Sequence, residues 1–261
     1  MLKVSSVALL ALLSLSPPQT QSDEIAALKK EVQALRAQQT AMERDLQTIK
    51  SLLQNLAGQR QGQPSGPPVD PFANKTIAVS NERSKGNAGA KVTLVEVSDY
   101  HCPFCRRQTL QTLPEVMKEY VNSGKARYVF VDYPIAQLHP DAFKSHEAAN
   151  CAGDQGKYWQ MHESLFANAP VKDVAQLTAQ AKTIGLDVGK FSACMSSGRH
   201  AVAIRESIER MQDLGVGGTP LTLIGITPAP GAPMKIVSSV YGARPYPDFK
   251  AAIDAALAQA R

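Results

Sequence analysis

The sequence contains no cluster of basic residues and no internal repeats. Its 28 lysines and arginines are spread over 261 residues and leave a net charge of only +5. The chain therefore lacks the basic patch with which nucleic-acid-binding domains contact phosphates, and no nucleic-acid partner is expected. With 44% hydrophobic and 20% charged residues, it has the ordinary composition of a soluble protein and is long enough for one or two domains with a core.

The sequence also lacks an apolar run of the length that a membrane span requires. Lys3 precedes a mainly apolar run from Val4 to Leu15, and a polar segment with two prolines follows. This order is typical of a secretory signal, whereas a transmembrane helix needs about 20 apolar residues. We predict a signal peptide over residues 1–21, with an undefined cleavage site; the alternative is an uncleaved membrane anchor. Either way, the chain is expected to be periplasmic or otherwise extracytoplasmic, where disulfides persist.

Apolar residues recur at alternating spacings of three and four between residues 22 and 57. The series is Ile25, Leu28, Val32, Leu35, Gln39, Met42, Leu46, Ile49, Leu53 and Leu56, in which only Gln39 is polar. A mean period of 3.5 residues is the heptad pattern of a coiled coil. Five acidic and five basic residues leave the segment neutral, so charge does not oppose self-association. We predict that residues 22–57 form a dimer or trimer; the alternative is a helix that folds back on its own domain.

Residues 58–74 are predicted to form an extended linker. Three glycines and four prolines between Gly58 and Pro71 disfavour a helix. Such a linker detaches the preceding helix from the rest of the chain, which favours a partner helix on another copy.

Residues 75–261 have the pattern of one small α/β domain. Runs rich in β-branched residues indicate buried strands, at Val92–Ser98, Arg127–Asp132, Leu221–Ile224 and Lys235–Val240. A helical insertion of about 139–214 separates the second strand from the third, and a helix over Pro245–Ala260 closes the chain.

Two of the four cysteines, Cys102 and Cys105, lie three positions apart. A zinc site usually combines such a pair with a second close pair of cysteines or histidines. The other cysteines, Cys151 and Cys194, have no such neighbour, and His200 and the other histidines show no ligand spacing. A chance pair in the core is disfavoured because two arginines follow directly.

A dithiol that forms and opens a disulfide fits the local pattern. Pro103 suits the first turn of a helix, so Cys102 is expected just before a helix N-terminus. Free backbone N–H groups and the helix dipole favour a thiolate there, and the thiolate is the nucleophile of thiol–disulfide exchange. Cys105, one turn later, lies close enough to close the disulfide.

Three segments together resemble the DsbA-type thiol–disulfide oxidoreductases of the thioredoxin-fold superfamily. They are V-T-L-V-E-V-S-D-Y-H-C-P-F-C-R-R, the helical insertion, and G-V-G-G-T-P-L-T-L-I-G. The resemblance covers roughly residues 75–261, and the helix before them resembles the oligomerisation stalks of Scs-type and isomerase-like members. It implies an α/β thioredoxin-like fold with a helical insertion, preceded by a coiled-coil helix.

The resemblance also implies roles for individual residues. Cys102 would attack and Cys105 would resolve, while Pro220 would be the cis-proline beside them, preceded by Thr219. Glu96 would be the buried acid that passes protons to and from the resolving cysteine, since burial raises a carboxyl pKa. The alternatives are a trans proline that ends a loop and an edge carboxylate without a role.

Cys151 and Cys194 are expected to form a structural disulfide, as similar pairs do in relatives. The alternatives are two free thiols or a second redox relay. Two departures from the family pattern affect the site. Phe104 replaces the histidine of the DsbA archetype, which implies a less depressed cysteine pKa and a weaker oxidant. The segment Thr227–Pro233 replaces an Asn-Gly turn beside the expected substrate groove.

The expected function is that of an exported, oligomeric thiol–disulfide oxidoreductase that needs no dissociable cofactor. Its clients would be secreted or periplasmic proteins with cysteines, and a membrane redox partner would reset the dithiol. The oligomer and Thr219 favour an isomerase or reductase over an oxidase, because an oligomer holds several sites at high effective concentration. Non-catalytic alternatives are a thiolate metal-binding module, a holdase and a scaffold with vestigial cysteines.

Overall fold

The computed structural model describes residues 21–60, 69–79, 83–229 and 232–260. The predicted signal peptide, apart from its last residue, lies outside these residues, as does the central part of the predicted linker. The chain divides into two units, Met1–Pro68 and Val69–Arg261. Among the described residues, none of the helices combines the length and the apolar character of a membrane span.

The first unit contains one long helix, α1 (Gln21–Arg60). The helix is confirmed, but it extends three residues beyond the predicted end at residue 57. Gly58 does not end it because a single glycine costs a helix only about 1 kcal/mol relative to alanine. The heptad side chains from Ile25 to Ile49 are exposed, with Leu28 at 58% and Met42 at 62%. Their association with a second chain stays a prediction.

The second unit is built on one mixed sheet of six strands in the order β1-β6-β5-β3-β4-β2. The strands are β1 (Thr76–Ile77), β2 (Ser84–Lys85), β3 (Val92–Ser98), β4 (Ala126–Asp132), β5 (Leu221–Ile226) and β6 (Met234–Tyr241). β3 and β4 are parallel, and the other neighbours are antiparallel. All seven residues of β3 are buried, so this central strand holds the turn that leads to Cys102 in a fixed position. The edge strands β1 and β2 have two residues each, too few for a periodic pattern to predict.

A long helical segment follows β3 and lies directly after Cys102. It begins as α2 (Pro103–Arg107), passes through a π-helical stretch at Gln108–Thr112 and α3 (Leu113–Val116), and ends with a second π-helical stretch at Met117–Val121. Pro114 has no N–H to donate to the preceding turn, and such an interruption is a common origin of irregular helical turns. The predicted helix start at Pro103 is confirmed.

The helical insertion is confirmed and contains five helices in the described chain. They are α4 (Ala142–Gly153), α5 (Tyr158–Ala167), α6 (Val174–Thr183), α7 (Val188–Ser197) and α8 (Ala201–Leu214), and α9 (Tyr246–Gln259) closes the chain. A disulfide between Cys151 and Cys194 joins α4 to α7. The sheet separates two hydrophobic clusters: the larger includes residues of helices α4 to α7, and the smaller includes Phe72 and Met211 of α8.

The boundary of the second unit differs from the predicted one. Residues 70–74 were assigned to the linker, but Phe72 is only 5% exposed and belongs to the smaller core cluster. The Asn74 backbone N–H donates to the Ile236 carbonyl at 2.9 Å, and the Ser239 hydroxyl donates to Asp70 at 3.0 Å. These contacts bring the segment onto the edge of the sheet, where its burial was not visible from its proline content.

Candidate active site

The Cys102 and Cys105 thiols lie at the junction between β3 and α2. Cys102 is the N-cap residue of α2 with an extended backbone, and Pro103 occupies the first turn. Both thiols are free and both cysteines are buried, Cys102 at 5% exposure and Cys105 at 0%. A thiol in this position faces the free backbone N–H groups of the first turn.

The loop before β5 lies against Cys102. The Cys102 thiol donates to the Thr219 carbonyl oxygen at a sulfur–oxygen distance of 3.6 Å, and the Thr219–Pro220 peptide bond is cis. The fold therefore brings together residues that are more than 100 positions apart in the chain. Thr219 and Pro220 both lie where the resemblance implied.

The two cysteine pKa values move in opposite directions. A hydrogen bond from the Cys105 thiol lowers the pKa of Cys102 to about 6, with further help from the backbone N–H groups of Cys105 and Phe104. Burial raises the pKa of Cys105 well above its usual value, and the neighbouring Cys102 charge raises it further. Cys102 is thus a thiolate at neutral pH while Cys105 keeps its proton.

Glu96 lies inside the core on the strand that leads to the cysteines. It is fully buried, and the Tyr128 hydroxyl donates to its Oε2 at 2.9 Å. Burial raises its pKa, and hydrogen bonding to Tyr128 opposes that rise only in part. Glu96 is therefore more readily protonated than an exposed glutamate.

Ser98 is a buried residue of the site that the sequence analysis did not identify. It lies two positions after Glu96, and residues i and i+2 of a strand share a face. Its hydroxyl lies near both Glu96 and Cys105 and lowers the pKa of each, although it makes no hydrogen bond of ordinary geometry to either. The alternation along V-T-L-V-E-V-S was the signal that placed Ser98 beside Glu96.

Asp99 organises the turn that carries Cys102. Its Oδ1 accepts the His101 backbone N–H at 2.8 Å, and its Oδ2 accepts the Ile135 backbone N–H at 2.8 Å. His139 Nδ1 is 2.9 Å from the same Oδ2, and His101 Nε2 is 2.9 Å from the Ser145 hydroxyl. His139 was assigned no specific role from the sequence, because only the fold brings it to Asp99.

Aromatic side chains flank the cysteines at the surface. Phe104 is 53% exposed, and the Arg107 guanidinium lies 5.3 Å from its ring centroid. A Cβ atom at Gly218 would lie 2.7 Å from the Tyr241 hydroxyl, so the tyrosine packs closely over the glycine that precedes Thr219. Phe104 and Tyr241 therefore supply apolar surface close to the two cysteines.

The segment that begins at Thr227 does not lie beside this surface. The Thr227 backbone N–H donates to the Lys91 carbonyl at 2.9 Å, and Ile226 pairs with Val92 at the start of β3. Cys102 follows the opposite end of β3. The expectation that this segment shapes the groove is therefore wrong, because β5 runs the full length of the sheet before it.

A family comparison agrees with this architecture. The sequence profile of the family described as thioredoxin matches residues 78–227. This chain belongs to the thioredoxin family. Within the family, the chain is 26% identical over 154 residues to a probable disulfide bond formation protein D of Bacillus anthracis, covering 56% of this chain and 71% of that protein. It is 34% identical over 153 residues to Na(+)/H(+) antiporter NhaA 1 of Salinispora arenicola, which covers 59% of this chain but only 22% of the antiporter.

Solved structures share the fold of this chain. The structure of alpha-DsbA1 from Wolbachia pipientis has a TM-score of 0.62 at 19% identity and covers 70% of this chain and 94% of that chain. BdbD from Bacillus subtilis has a TM-score of 0.61 at 18% identity and covers 72% of this chain and 98% of that chain. These similarities confirm the thioredoxin-like fold with a helical insertion.

Proposed function

We propose that the protein is a thiol–disulfide oxidoreductase in which Cys102 attacks and Cys105 resolves. The observation that carries this proposal is the opposite displacement of the two cysteine pKa values at the N-terminus of α2. A thiolate at neutral pH is the reactive form. The protonated partner one turn away does not react until the second exchange. The names of the thioredoxin-family relatives, among them disulfide bond formation protein D, support the same chemistry.

The reaction proceeds by two exchanges at sulfur. The Cys102 thiolate attacks one sulfur of a substrate disulfide, so that a bond forms between Cys102 Sγ and that sulfur while the substrate bond breaks and its second sulfur leaves as a thiolate. Cys105 then loses its proton and attacks Cys102 Sγ, which releases the substrate. Two electrons pass from the enzyme dithiol to the substrate, and the reverse sequence oxidises a substrate dithiol.

Glu96 is proposed to accept the proton of Cys105 in the second exchange. Its pKa is raised by burial, which makes it a better proton acceptor than an exposed glutamate. Ser98, which interacts with both groups, is a positioning residue between them. Thr219 orients the Cys102 thiol through its carbonyl oxygen, and Pro220 offers the approaching sulfur no competing N–H donor.

The more specific proposal is an oligomeric disulfide isomerase or reductase. The exposed heptad side chains of α1 support a homo-oligomer of two or three chains through residues 22–57. Such an assembly would hold several reduced sites around one client at high effective concentration. We further propose that the chain acts outside the cytoplasm on cysteine-containing client proteins and that a membrane redox partner resets it.

A second candidate is a disulfide oxidase. The stabilised Cys102 thiolate, with a pKa of about 6, favours the dithiol state of the enzyme and so increases its oxidising power. That value lies near the upper end of the range of about 3.5–7.5 for activated cysteines, which is in keeping with a moderate rather than a strong oxidant. Structural similarity to alpha-DsbA1 does not distinguish the two activities.

Reactivation of scrambled ribonuclease by residues 22–261 and by residues 69–261 tests the proposal. The shorter form starts at 69 because residues 70–74 belong to the second unit. An isomerase requires that the longer form reactivates the ribonuclease and the shorter one does not. Equal and poor reactivation, with fast oxidation of reduced ribonuclease by both forms, would assign the protein as an oxidase. If Cys102→Ser matches the wild type in both assays, the cysteines are not catalytic.

A further inference from the structure

Four potential metal ligands surround the disulfide of the helical insertion. Among the described residues, Cys151, Asp154, Cys194 and His200 each place one ligand atom within 4.8 Å of the others. Cys151 lies in the last turn of α4 and Asp154 directly follows that helix, while Cys194 lies in α7 and His200 directly precedes α8. Three helix ends of the insertion therefore converge on this cluster.

The spacing of the ligand atoms is close to that of a tetrahedral zinc site. Asp154 Oδ2 is 3.4 Å from Cys194 Sγ and 2.8 Å from His200 Nε2. Zinc–sulfur bonds of about 2.3 Å and zinc–oxygen or zinc–nitrogen bonds of about 2.0 Å imply ligand separations of about 3.5 Å and 3.3 Å for these pairs. The sulfur atoms, which are bonded to each other, have to move apart to about 3.8 Å.

We propose that reduction of the Cys151–Cys194 disulfide converts this cluster into a binding site for a thiophilic divalent cation, with Zn²⁺ as the expected occupant. Two thiolates, the Asp154 carboxylate and the His200 imidazole supply a four-coordinate set of the kind that zinc prefers.

Arg199 provides the charge balance that such a site needs. Two thiolates and one carboxylate carry three negative charges, so a bound Zn²⁺ leaves one in excess. The Arg199 guanidinium lies 2.5 Å from Asp154 Oδ2 and neutralises that excess. Arg199 contacts the same oxygen that faces Cys194 Sγ and His200 Nε2. Because a carboxylate has two oxygens, a cation bound at Oδ2 requires the guanidinium to move to Oδ1, where it would orient the ligand as outer contacts do at metal sites.

A cleft gives a reductant access to the disulfide. Its volume is about 310 Å³, and Asp154, Cys194 and Arg199 are among the residues that line it. A protein or small-molecule dithiol attacks Cys194 Sγ and releases the Cys151 thiolate; the second thiol of the reductant then breaks the mixed disulfide and releases Cys194. The dithiol loses two electrons, the Cys151–Cys194 bond gains them, and two protons leave as Zn²⁺ binds both thiolates.

The consequence is a link between α4 and α7 in either redox state. The disulfide joins the two helices under oxidising conditions, and the metal joins them after reduction. The insertion would then keep its fold where a dithiol reductant is active, which a structural disulfide alone does not ensure.

Zinc binding by a Cys102→Ser/Cys105→Ser variant tests the proposal, since the other dithiol is then absent. The protein is reduced with a phosphine, freed of excess reductant, and titrated with Zn²⁺ against a chromogenic chelator. We expect one Zn²⁺ per chain after reduction and none before, and Co²⁺ in place of Zn²⁺ should give thiolate-to-metal charge-transfer absorption. Asp154→Asn and His200→Gln should each weaken binding about 10-fold or more, whereas the exposed Glu163→Gln control should leave it unchanged.

Two results would overturn the proposal. The first is a reduced chain with native circular dichroism that binds Zn²⁺ no more tightly than the same variant with Cys151→Ser and Cys194→Ser added. The second applies if reduction unfolds the chain: Zn²⁺ added before the phosphine should then preserve the native spectrum, and loss of the spectrum with and without Zn²⁺ contradicts the site. Because this background lacks Cys102 and Cys105, the outcome is independent of the proposed redox function.

Discussion

At the scale of single residues, the two thiols of one short segment differ because their surroundings differ. Cys102 faces backbone N–H groups and the Cys105 thiol, which stabilise its anion, while Cys105 lies deeper, where burial disfavours a charge. Their order in the chain follows from the helix start at Pro103, which places the first cysteine before the first turn and the second inside it.

The pH dependence of alkylation should report this difference. We expect the rate of Cys102 alkylation by iodoacetamide to rise with a midpoint near pH 6, because its pKa is lowered to about 6. Cys105→Ala should shift the midpoint upward, since the largest cause of the lowered pKa is the hydrogen bond from the Cys105 thiol. Cys102→Ser is the control and should show no fast alkylation at pH 7. A wild-type midpoint near the ordinary value of about 8.5 would contradict the assignment of Cys102 as the attacking thiol.

Replacement of Glu96 by glutamine should raise the melting temperature and slow the release of a mixed disulfide. Burial raises its pKa, so the stability it contributes is complete below the unfolded value of about 4.3 and is lost as the pH rises through the folded value. Glu96→Gln does not suffer that loss, and we expect its melting temperature to exceed that of the wild type by an amount that grows as the pH rises above about 4.3. The same change should slow the release of a mixed disulfide by about 10- to 100-fold, because a proton acceptor is removed.

Stopped-flow measurement of thiol release and thermal melts at several pH values test both effects. Glu115→Gln on the exposed side of α3 is the matched control and should change neither quantity. A variant that releases the mixed disulfide at the wild-type rate would show that Glu96 is not the proton acceptor.

At the scale of elements, a buried charge network fixes the insertion to the sheet. Asp132 at the end of β4 pairs with Arg83, its Oδ1 lies 2.6 Å from His146 Nδ1 of α4, and its Oδ2 accepts from Asn150 Nδ2 at 3.2 Å. Burial opposes ionisation of Asp132, but the Arg83 charge and then His146 outweigh it and lower the pKa of Asp132 to about 2. The Asp132 carboxylate of strand β4 therefore binds both the segment before β2 and helix α4.

Arg83→Ala should destabilise the protein by about 3–5 kcal/mol at pH 7, because it leaves a buried carboxylate without its main counter-charge. The stabilisation from Asp132 is present above the ordinary aspartate pKa of about 3.9 and is lost as the pH falls through the folded value of about 2, so the difference between variant and wild type should shrink in acid. Urea unfolding at pH 7 measures the loss of stability, and urea unfolding at pH 3 measures how far that loss shrinks in acid. Arg244→Ala removes the exposed pair with Asp248 and should cost less than about 1 kcal/mol; equal losses for the two variants would contradict the network.

At the scale of the whole molecule, the two units carry different parts of the proposed function. The second unit contains the complete dithiol site, and the first contains a helix of 40 residues whose apolar series is exposed. Exposed apolar side chains along the heptad series from Ile25 to Ile49 are costly for a monomeric helix, since each loses the free energy of burial. A second copy of the same helix is the partner that the 3.5-residue period fits.

A charge in the heptad series should therefore dissociate the assembly. We expect the full chain to be a dimer or trimer by light scattering, and Leu35→Asp together with Leu46→Asp to give a monomer, because both side chains would lie buried in a coiled coil. Ala37→Asp lies on the opposite face of the same helix and is the matched control, with no change in mass. A monomeric wild type would remove the basis for an oligomeric isomerase, while the dithiol chemistry of the second unit would be unaffected.

The sequence by itself determined the features that depend on neighbours in the chain. The apolar period of α1, the β-branched run of β3 and the helix start at Pro103 are local patterns, and each element formed where its pattern predicted it. Position along β3 also placed Cys102 at the end of a buried strand and Glu96 within it. Resemblance to a family supplied Thr219 and Pro220, which no local pattern links to Cys102.

Only the tertiary structure decided which distant residues meet. His139 reaches Asp99, Phe72 joins the core, and Thr227 lies at the end of the sheet away from Cys102. Asp154 and His200 lie beside a disulfide whose two cysteines are 43 positions apart. No spacing rule predicts these contacts, because they result from how the sheet and the insertion pack, and packing depends on the combined shapes of side chains from many segments.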